Sequence, residues 1–209
     1  MNMSEMKLLS KSWVNGYMTL IEPLAKLLAD YKVHPHVLTI SGFVLSLLAA
    51  NFFRLGFVFY AGVVIVLAGT CDVLDGKLAR ETNRVSKYGA LFDSTIDRYS
   101  EVIIFMGLAA FFYQRSSYLH LLIILAIAGS FMVSYTRARA EGLGIQCKVG
   151  LMQRTERITY LALGSLLGAI PGTNHIFLVA AIWFIAIFAN ATAIQRMVYI
   201  RKQLREKKV

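Results

Sequence analysis

Long uncharged apolar runs constrain this chain most. GFVFYAGVVIVLAGT (56–70) and VIIFMGLAAFFY (102–113) hold no Asp, Glu, Lys, Arg or His. Several such runs reach the roughly 17–25 residues that a helix needs to cross a bilayer. The hydrophobic share is 57% and the mean hydropathy +0.58, against about 45–50% apolar for a soluble domain. Buried helices of soluble proteins seldom run so far without polar breaks. The chain reads as an all-α integral membrane protein.

Six transmembrane helices are expected, at about 36–53, 57–80, 88–113, 118–140, 153–170 and 175–197. Ahead of them, WVNGYMTLIEPLAKLLADYKV (13–33) interleaves apolar residues with Lys26, Asp30 and Lys32. That pattern suits an interfacial amphipathic helix lying along the membrane surface. The opening MNMSEMKLLSKSW lacks the apolar core and cleavage site of a signal peptide. Residues 1–209 thus read as one membrane domain, with an N-terminal segment over 1–35, a bundle over 36–197 and a basic tail over 198–209. Cys71 falls in a span and Cys147 in a loop, so no disulfide framework is implied. Pro23, Pro35 and Pro171 all fall outside span interiors.

A formal net charge of +10 can signal nucleic-acid binding, but topology accounts for it better. Loops near 54–57, 114–117 and 171–174 carry only Arg54 and Arg115 of the 22 Lys and Arg. The remainder cluster on the side of the termini. The positive-inside rule puts both termini, and the 81–87 loop, in the cytoplasm. Arg201, Lys202, Arg205, Lys207 and Lys208 read as a solvated helix end facing anionic lipid. The partners excluded and expected are no nucleic acid, and membrane lipids.

Four aspartates interrupt this apolar background in CDVLDGKLARETNRVSKYGALFDSTIDR (71–98). Asp72, Asp75, Gly76 and Ala79 share one helical face at the end of the second span. Gly89, Asp93 and Asp97 share one at the start of the third. The ETNRVSK connection is short, so the two helices are antiparallel neighbours and their carboxylates can meet. Four charges cannot sit together in a low dielectric uncompensated: some are protonated, or cations lie among them. Oxygen ligands favour Mg²⁺ or Mn²⁺. Two divalent cations sharing a carboxylate would suit phosphoryl chemistry. The small residues Gly76, Ala79 and Gly89 would let a substrate approach the backbone. Span-end aspartates can also be plain interfacial residues, but two matched pairs beside small residues favour function.

This stretch resembles the signature of the CDP-alcohol phosphotransferases, D-x2-D-G-x2-A-R-x8-G-x3-D-x3-D. Asp72, Asp75, Gly76, Ala79, Arg80, Gly89, Asp93 and Asp97 match every fixed position. The resemblance implies that an alcohol attacks the β-phosphorus of a CDP-linked lipid and CMP leaves. It implies that Asp72, Asp75 and Asp93 ligate two divalent ions, with Asp97 near the second and acting as general base. It also places Gly76, Ala79, Arg80 and Ser86 on the CDP moiety, Arg being suited to phosphate by its fixed charge and fork of donors. The segment His34-Pro35-His36-Val37 falls where similar enzymes contact CDP, though many relatives read Pro-Asn. The two histidines equally suit interfacial capping.

A second constellation bears on the acceptor. SYTRARAEGLG (134–144), GLMQRTERITYL (150–161) and AIQRMVYIRK (193–202) bring Arg137, Arg154, Arg157 and Arg196 to the cytoplasmic ends of three helices. Single arginines there commonly snorkel; four near a metal pocket would bind an anionic group, with Ser134 a further donor. These segments resemble the phosphatidylinositol-phosphate synthases of the family. That likeness implies that Ser134, Arg137, Arg157 and Arg196 hold the phosphate of inositol phosphate. Two departures stand out: Arg137 occupies a usual Lys position, and QRTER (153–157) replaces Glu-Arg-Pro-Glu-Arg.

The expected activity is transfer of a phosphatidyl group from CDP-diacylglycerol to a phosphorylated polyol, within phospholipid biosynthesis. Glycerol 3-phosphate or free inositol are alternative acceptors. The resemblance also implies a homodimer. A cation channel or transporter would need acidic residues continuing across the membrane, and the opposite half of the bundle has none. An inactive scaffold would tolerate an eroded motif, and this one is intact.

Overall fold

The computed structural model describes residues 11–113, 116–173 and 175–206. The first ten residues, Arg115, Lys207 and Lys208 of the sequence reading lie outside that range. Seven helices follow one another among the described residues: α1 (Lys11–Asp30), α2 (Pro35–Leu55), α3 (Val58–Glu81), α4 (Lys87–Phe112), α5 (Ser117–Gly142), α6 (Arg154–Gly168) and α7 (Ile176–Glu206).

Local chemistry sets several of these boundaries. Pro35 opens α2, where its missing N–H is harmless. Gly56 closes α2 at φ 85°, a left-handed cap that a side chain would strain. Ser86 caps α4, its Oγ accepting from the Gly89 N–H at 2.9 Å. Asn83, at φ 53°, turns the chain between α3 and α4. Pro23 lies inside α1.

Four helices are long and apolar enough to cross a membrane: α2, α3, α5 from Tyr118, and α7. The other two expected spans exist as helices at the expected places. However, α4 carries Asp93, Asp97, Arg98 and Glu101 between its second turn and its middle. Helix α6 has 15 residues, about 22 Å at 1.5 Å per residue, short of a hydrocarbon core of about 30 Å. Large apolar side chains face outward around the bundle, such as Met106 at 62% exposed and Leu121 at 71%. A belt of this kind suits a lipid surround.

Between apolar helices in lipid, close packing takes over the role of hydrophobic driving force. The core joins Phe53, Ile65, Phe105, Leu108, Leu161 and Ile182, contributed by five helices. Small residues set the approach. A Cβ on Gly107 of α4 would stand 2.5 Å from the Ala50 Cα and carbonyl oxygen of α2. Helix α1 packs Ile21 and Ala25 on Leu38, Leu74 and Leu78. Tyr17 donates to Thr70 Oγ1 at 2.7 Å and Glu22 meets Lys77 at 3.7 Å, so α1 keeps step with the last turns of α3.

Helix α7 continues through the basic residues to Glu206, so that tail is helical where described. The connection from α5 to α6 tucks Ile145, Cys147 and Val149 against Tyr199 and Ile200. Both cysteines are free. Burial pushes the Cys147 thiol up, away from the reactive thiolate.

Candidate active site

The short α3–α4 turn brings the two aspartate rows together. Asp72, Asp75 and Asp93 each offer a carboxylate oxygen within 4.8 Å of the others. Asp75 is buried, 4% exposed, and its Oδ2 accepts from Thr39 Oγ1 of α2 at 2.7 Å. One oxygen of Asp93 is buried with no hydrogen-bond partner among the described residues. A buried, unpaired carboxylate oxygen beside two further carboxylates suits a hard cation. The donor set therefore fits a divalent metal.

Asp97 lies outside that triplet but joins it through Arg154. The Arg154 guanidinium donates to Asp72 Oδ2 and forms an ion pair with Asp97 Oδ1, both at 2.7 Å. Arg98 stands 3.4 Å from the other Asp97 oxygen. Thus α6 reaches across to α3 and α4 with its first residue. One turn on, Arg157 forms a bidentate pair with Glu101 of α4, at 2.6 and 2.8 Å. Its side chain is 1% exposed, that of Glu101 7%.

Gly76 and Arg80 lie together on α3: a Cβ on Gly76 would stand 3.5 Å from Arg80 Nη1. Arg80 is exposed and its side chain makes no hydrogen bond or ion pair among the described residues, leaving its donors available. Ala79 lies between them in α3, its carbonyl accepting from the Arg84 N–H of the α3–α4 turn. Ser86 is occupied as the α4 cap. His34 caps α2, its Nδ1 accepting from the His36 N–H at 3.3 Å. His36 packs its ring on Phe92 at 5.0 Å and on Tyr88 at 6.2 Å, so α2 and α4 meet there. Val37 is 53% exposed.

The four acceptor arginines take different partners. Arg154 and Arg157 bind carboxylates, as above. Arg196 is buried and donates to the Val149 carbonyl at 2.8 Å and to the Val133 carbonyl. Arg137 is exposed and pairs with Glu141 one turn along α5, at 2.9 Å. Arg137 and Arg157 are near enough to act electrostatically on Arg196. Ser134 is half-buried and donates to the Ser130 carbonyl at 3.3 Å.

Two residues were missed by the sequence reading. Glu101 extends the row Gly89, Asp93, Asp97 by one more turn, a signal the spacing carried. Thr39 lies one turn after Pro35, one of several uncharged polar residues in its span with Ser41, Ser46 and Asn51, and gave no comparable sign. A groove of about 420 Å³ opens elsewhere, between α5 and α7 around Met132, Tyr135 and Met197. None of the motif residues lines it.

Comparison with known proteins identifies the family. The model of the CDP-alcohol phosphatidyltransferase family matches residues 32–197. The chain is 35% identical to the archaetidylinositol phosphate synthase of Methanothermobacter thermautotrophicus, over 94% of this chain and 98% of the relative. It superposes on the crystal structure of Mycobacterium tuberculosis phosphatidylinositol phosphate synthase with CDP-DAG bound. There the TM-score is 0.77 at 30% identity, covering 85% of this chain and 92% of the other. The same M. tuberculosis protein in complex with manganese and citrate gives 0.77 at 28% identity, covering 85% and 87%.

Proposed function

The chain belongs to the CDP-alcohol phosphatidyltransferase family, and on that premise we propose that it makes a phosphatidylinositol phosphate. It transfers the phosphatidyl group of CDP-diacylglycerol to a hydroxyl of inositol phosphate. The oxygen–phosphorus bond to the acceptor forms, the one to CMP breaks, and CMP leaves with the electron pair. The observation that carries this reading is the meeting of Asp72, Asp75 and Asp93 within 4.8 Å at the mouth of two antiparallel helices.

In this reading Asp72, Asp75 and Asp93 hold the metal, with Asp97 beside it as the base that takes the acceptor proton. Two divalent cations, Mg²⁺ or Mn²⁺, would supply charge neutralisation on the diphosphate and on the attacking oxygen. Thr39 orients Asp75 by its 2.7 Å hydrogen bond, an outer-shell contact of the kind that fixes a ligand's geometry. Gly76 leaves room for the diphosphate, and the unpaired Arg80 binds it. Ala79, Ser86 and the His34–Val37 segment border the nucleotide. Ser134, Arg137, Arg154, Arg157 and Arg196 hold the acceptor's phosphate. A fixed cationic pocket selects a phosphorylated alcohol over a neutral one.

The wider reading keeps one domain over 1–209, six spans with α1 at the interface, both termini in the cytoplasm and a homodimer. The placement makes physical sense: a CDP headgroup sits at the cytoplasmic surface while its chains stay in the bilayer and the acceptor arrives from water. The deciding experiment measures CMP release from CDP-diacylglycerol in detergent, with Mg²⁺ or Mn²⁺. Inositol phosphate, free inositol, glycerol 3-phosphate and serine are compared in parallel. Metal-dependent release is expected with inositol phosphate. Release with glycerol 3-phosphate alone would move the assignment to a phosphatidylglycerophosphate synthase, and release with none would overturn it. A CDP-archaeol arm identifies the lipid.

A further inference from the structure

We propose that Arg154 is a latch linking cation binding to acceptor binding. Its guanidinium holds Asp72 and Asp97, and a divalent ion that takes those carboxylates frees it for the acceptor's phosphate. The inference rests on the phosphatidyltransferase reading and deepens it by giving Arg154 two partners rather than one.

Three observations carry it. First, Arg154 uses the same carboxylates that the metal needs: Oδ2 of Asp72 and Oδ1 of Asp97, each at 2.7 Å. Asp72 also belongs to the triplet within 4.8 Å. A divalent ion on that carboxylate and a guanidinium at hydrogen-bond distance from it would repel each other. Either cation weakens the other's hold.

Second, Arg154 is the first residue of α6, and Gln153 before it makes no side-chain cap. The N–H groups of that first turn remain donors, and the helix dipole disfavours a cation there. The carboxylates keep Arg154 in place. An anion at the same helix end would suit the free N–H groups and the guanidinium together.

Third, Arg154 is not a fully satisfied structural arginine. Its Nε is buried without a hydrogen-bond partner. Arg157, one turn on, has its Nε and Nη2 on Glu101 and its Nη1 on the Met152 carbonyl. The contrast leaves Arg157 the more firmly held of the two and Arg154 the one free to exchange partners.

The test uses the full-length protein in nanodiscs without CDP-lipid. Mn²⁺ binding is followed by electron paramagnetic resonance, and inositol phosphate binding by calorimetry with and without Mn²⁺. Arg154→Gln removes the guanidinium; Arg154→Lys keeps a charge but cannot bridge two carboxylates as the fork does. Monodisperse elution checks that each variant folds.

Mn²⁺ alone should bind Arg154→Gln more tightly than wild type. In wild type, Mn²⁺ should raise the affinity for inositol phosphate by at least about fivefold more than it does in either variant, within the usual range of site-to-site coupling. Unchanged or weaker Mn²⁺ binding in Arg154→Gln overturns the latch. So does equal coupling in wild type and Arg154→Gln, or wild-type coupling in Arg154→Lys. Absence of CMP release by wild type would instead sink the functional reading, and leaves the coupling measurable.

Discussion

The Glu101–Arg157 pair gives the sharpest stability prediction. Both side chains are nearly sealed, at 7% and 1% exposed, and the bidentate contacts are 2.6 and 2.8 Å. Removing one partner of such a pair strands the other charge, at a cost of about 3–5 kcal/mol. Glu101→Gln keeps one acceptor oxygen but turns an amide donor toward a guanidinium donor. We expect about 3 kcal/mol, near the low end. Replacing both residues by Met removes the stranded charge and should recover most of that loss. Unfolding in a mixed-micelle denaturant titration, followed by tryptophan fluorescence, measures both. A loss below about 1 kcal/mol for Glu101→Gln, the scale of an exposed pair, would refute the buried-pair reasoning. Kinetics give an independent reading, since a displaced Arg157 should raise KM for the acceptor and leave KM for the CDP-lipid unchanged.

Asp97→Asn should abolish turnover while CDP-lipid binding persists; normal CMP release would remove Asp97 from the base role. Thr39→Val deletes the hydroxyl that holds Asp75 at 2.7 Å, and should weaken Mn²⁺ binding about 10–100-fold, the usual effect of losing an outer-shell partner. Calorimetric titration with the metal checks it, and an unchanged affinity would make the bond incidental. Gly107→Val forces side-chain atoms into the Ala50 backbone, 2.5 Å from the first of them, and should cost at least about 1–3 kcal/mol by overpacking. Thermal unfolding in detergent reads this, and a melting point equal to wild type would show that α2 and α4 can separate freely.

What the sequence made legible was whatever local periodicity controls. The two aspartate rows could be placed on faces because a helix repeats every 3.6 residues, and the short link between them made the helices neighbours. Pro35 and Gly56 mark the ends of α2 by their own conformational preferences. Arginine partners followed no such rule. A long flexible side chain at a helix end can reach several elements, and the sequence does not say which. Arg157 found Glu101, 56 residues away, and Arg154 found Asp72, 82 residues away. The four arginines expected around one anion each hold a partner within the chain: two carboxylates, backbone carbonyls for Arg196 and a same-helix glutamate for Arg137.

Helices α4 and α6, less apolar or shorter than the four candidate spans, carry much of the site. Helix α4 spends its first turns on Asp93, Asp97, Arg98 and Glu101, and α6 begins with Arg154, Glu156 and Arg157. These residues lower the apolar character that a span needs, and each would be costly against lipid. In the fold they face one another instead: Arg154 lies on Asp72 and Asp97, and Arg157 lies on Glu101. The charges of one helix thus compensate those of the other. Neither helix could keep its polar end in place alone, so α4 and α6 depend on each other through the site. A substitution at Glu101 should therefore loosen the bundle, whereas Arg80, exposed and with its side chain unpaired among the described residues, should be replaceable with little effect on stability and a large one on CDP-lipid binding.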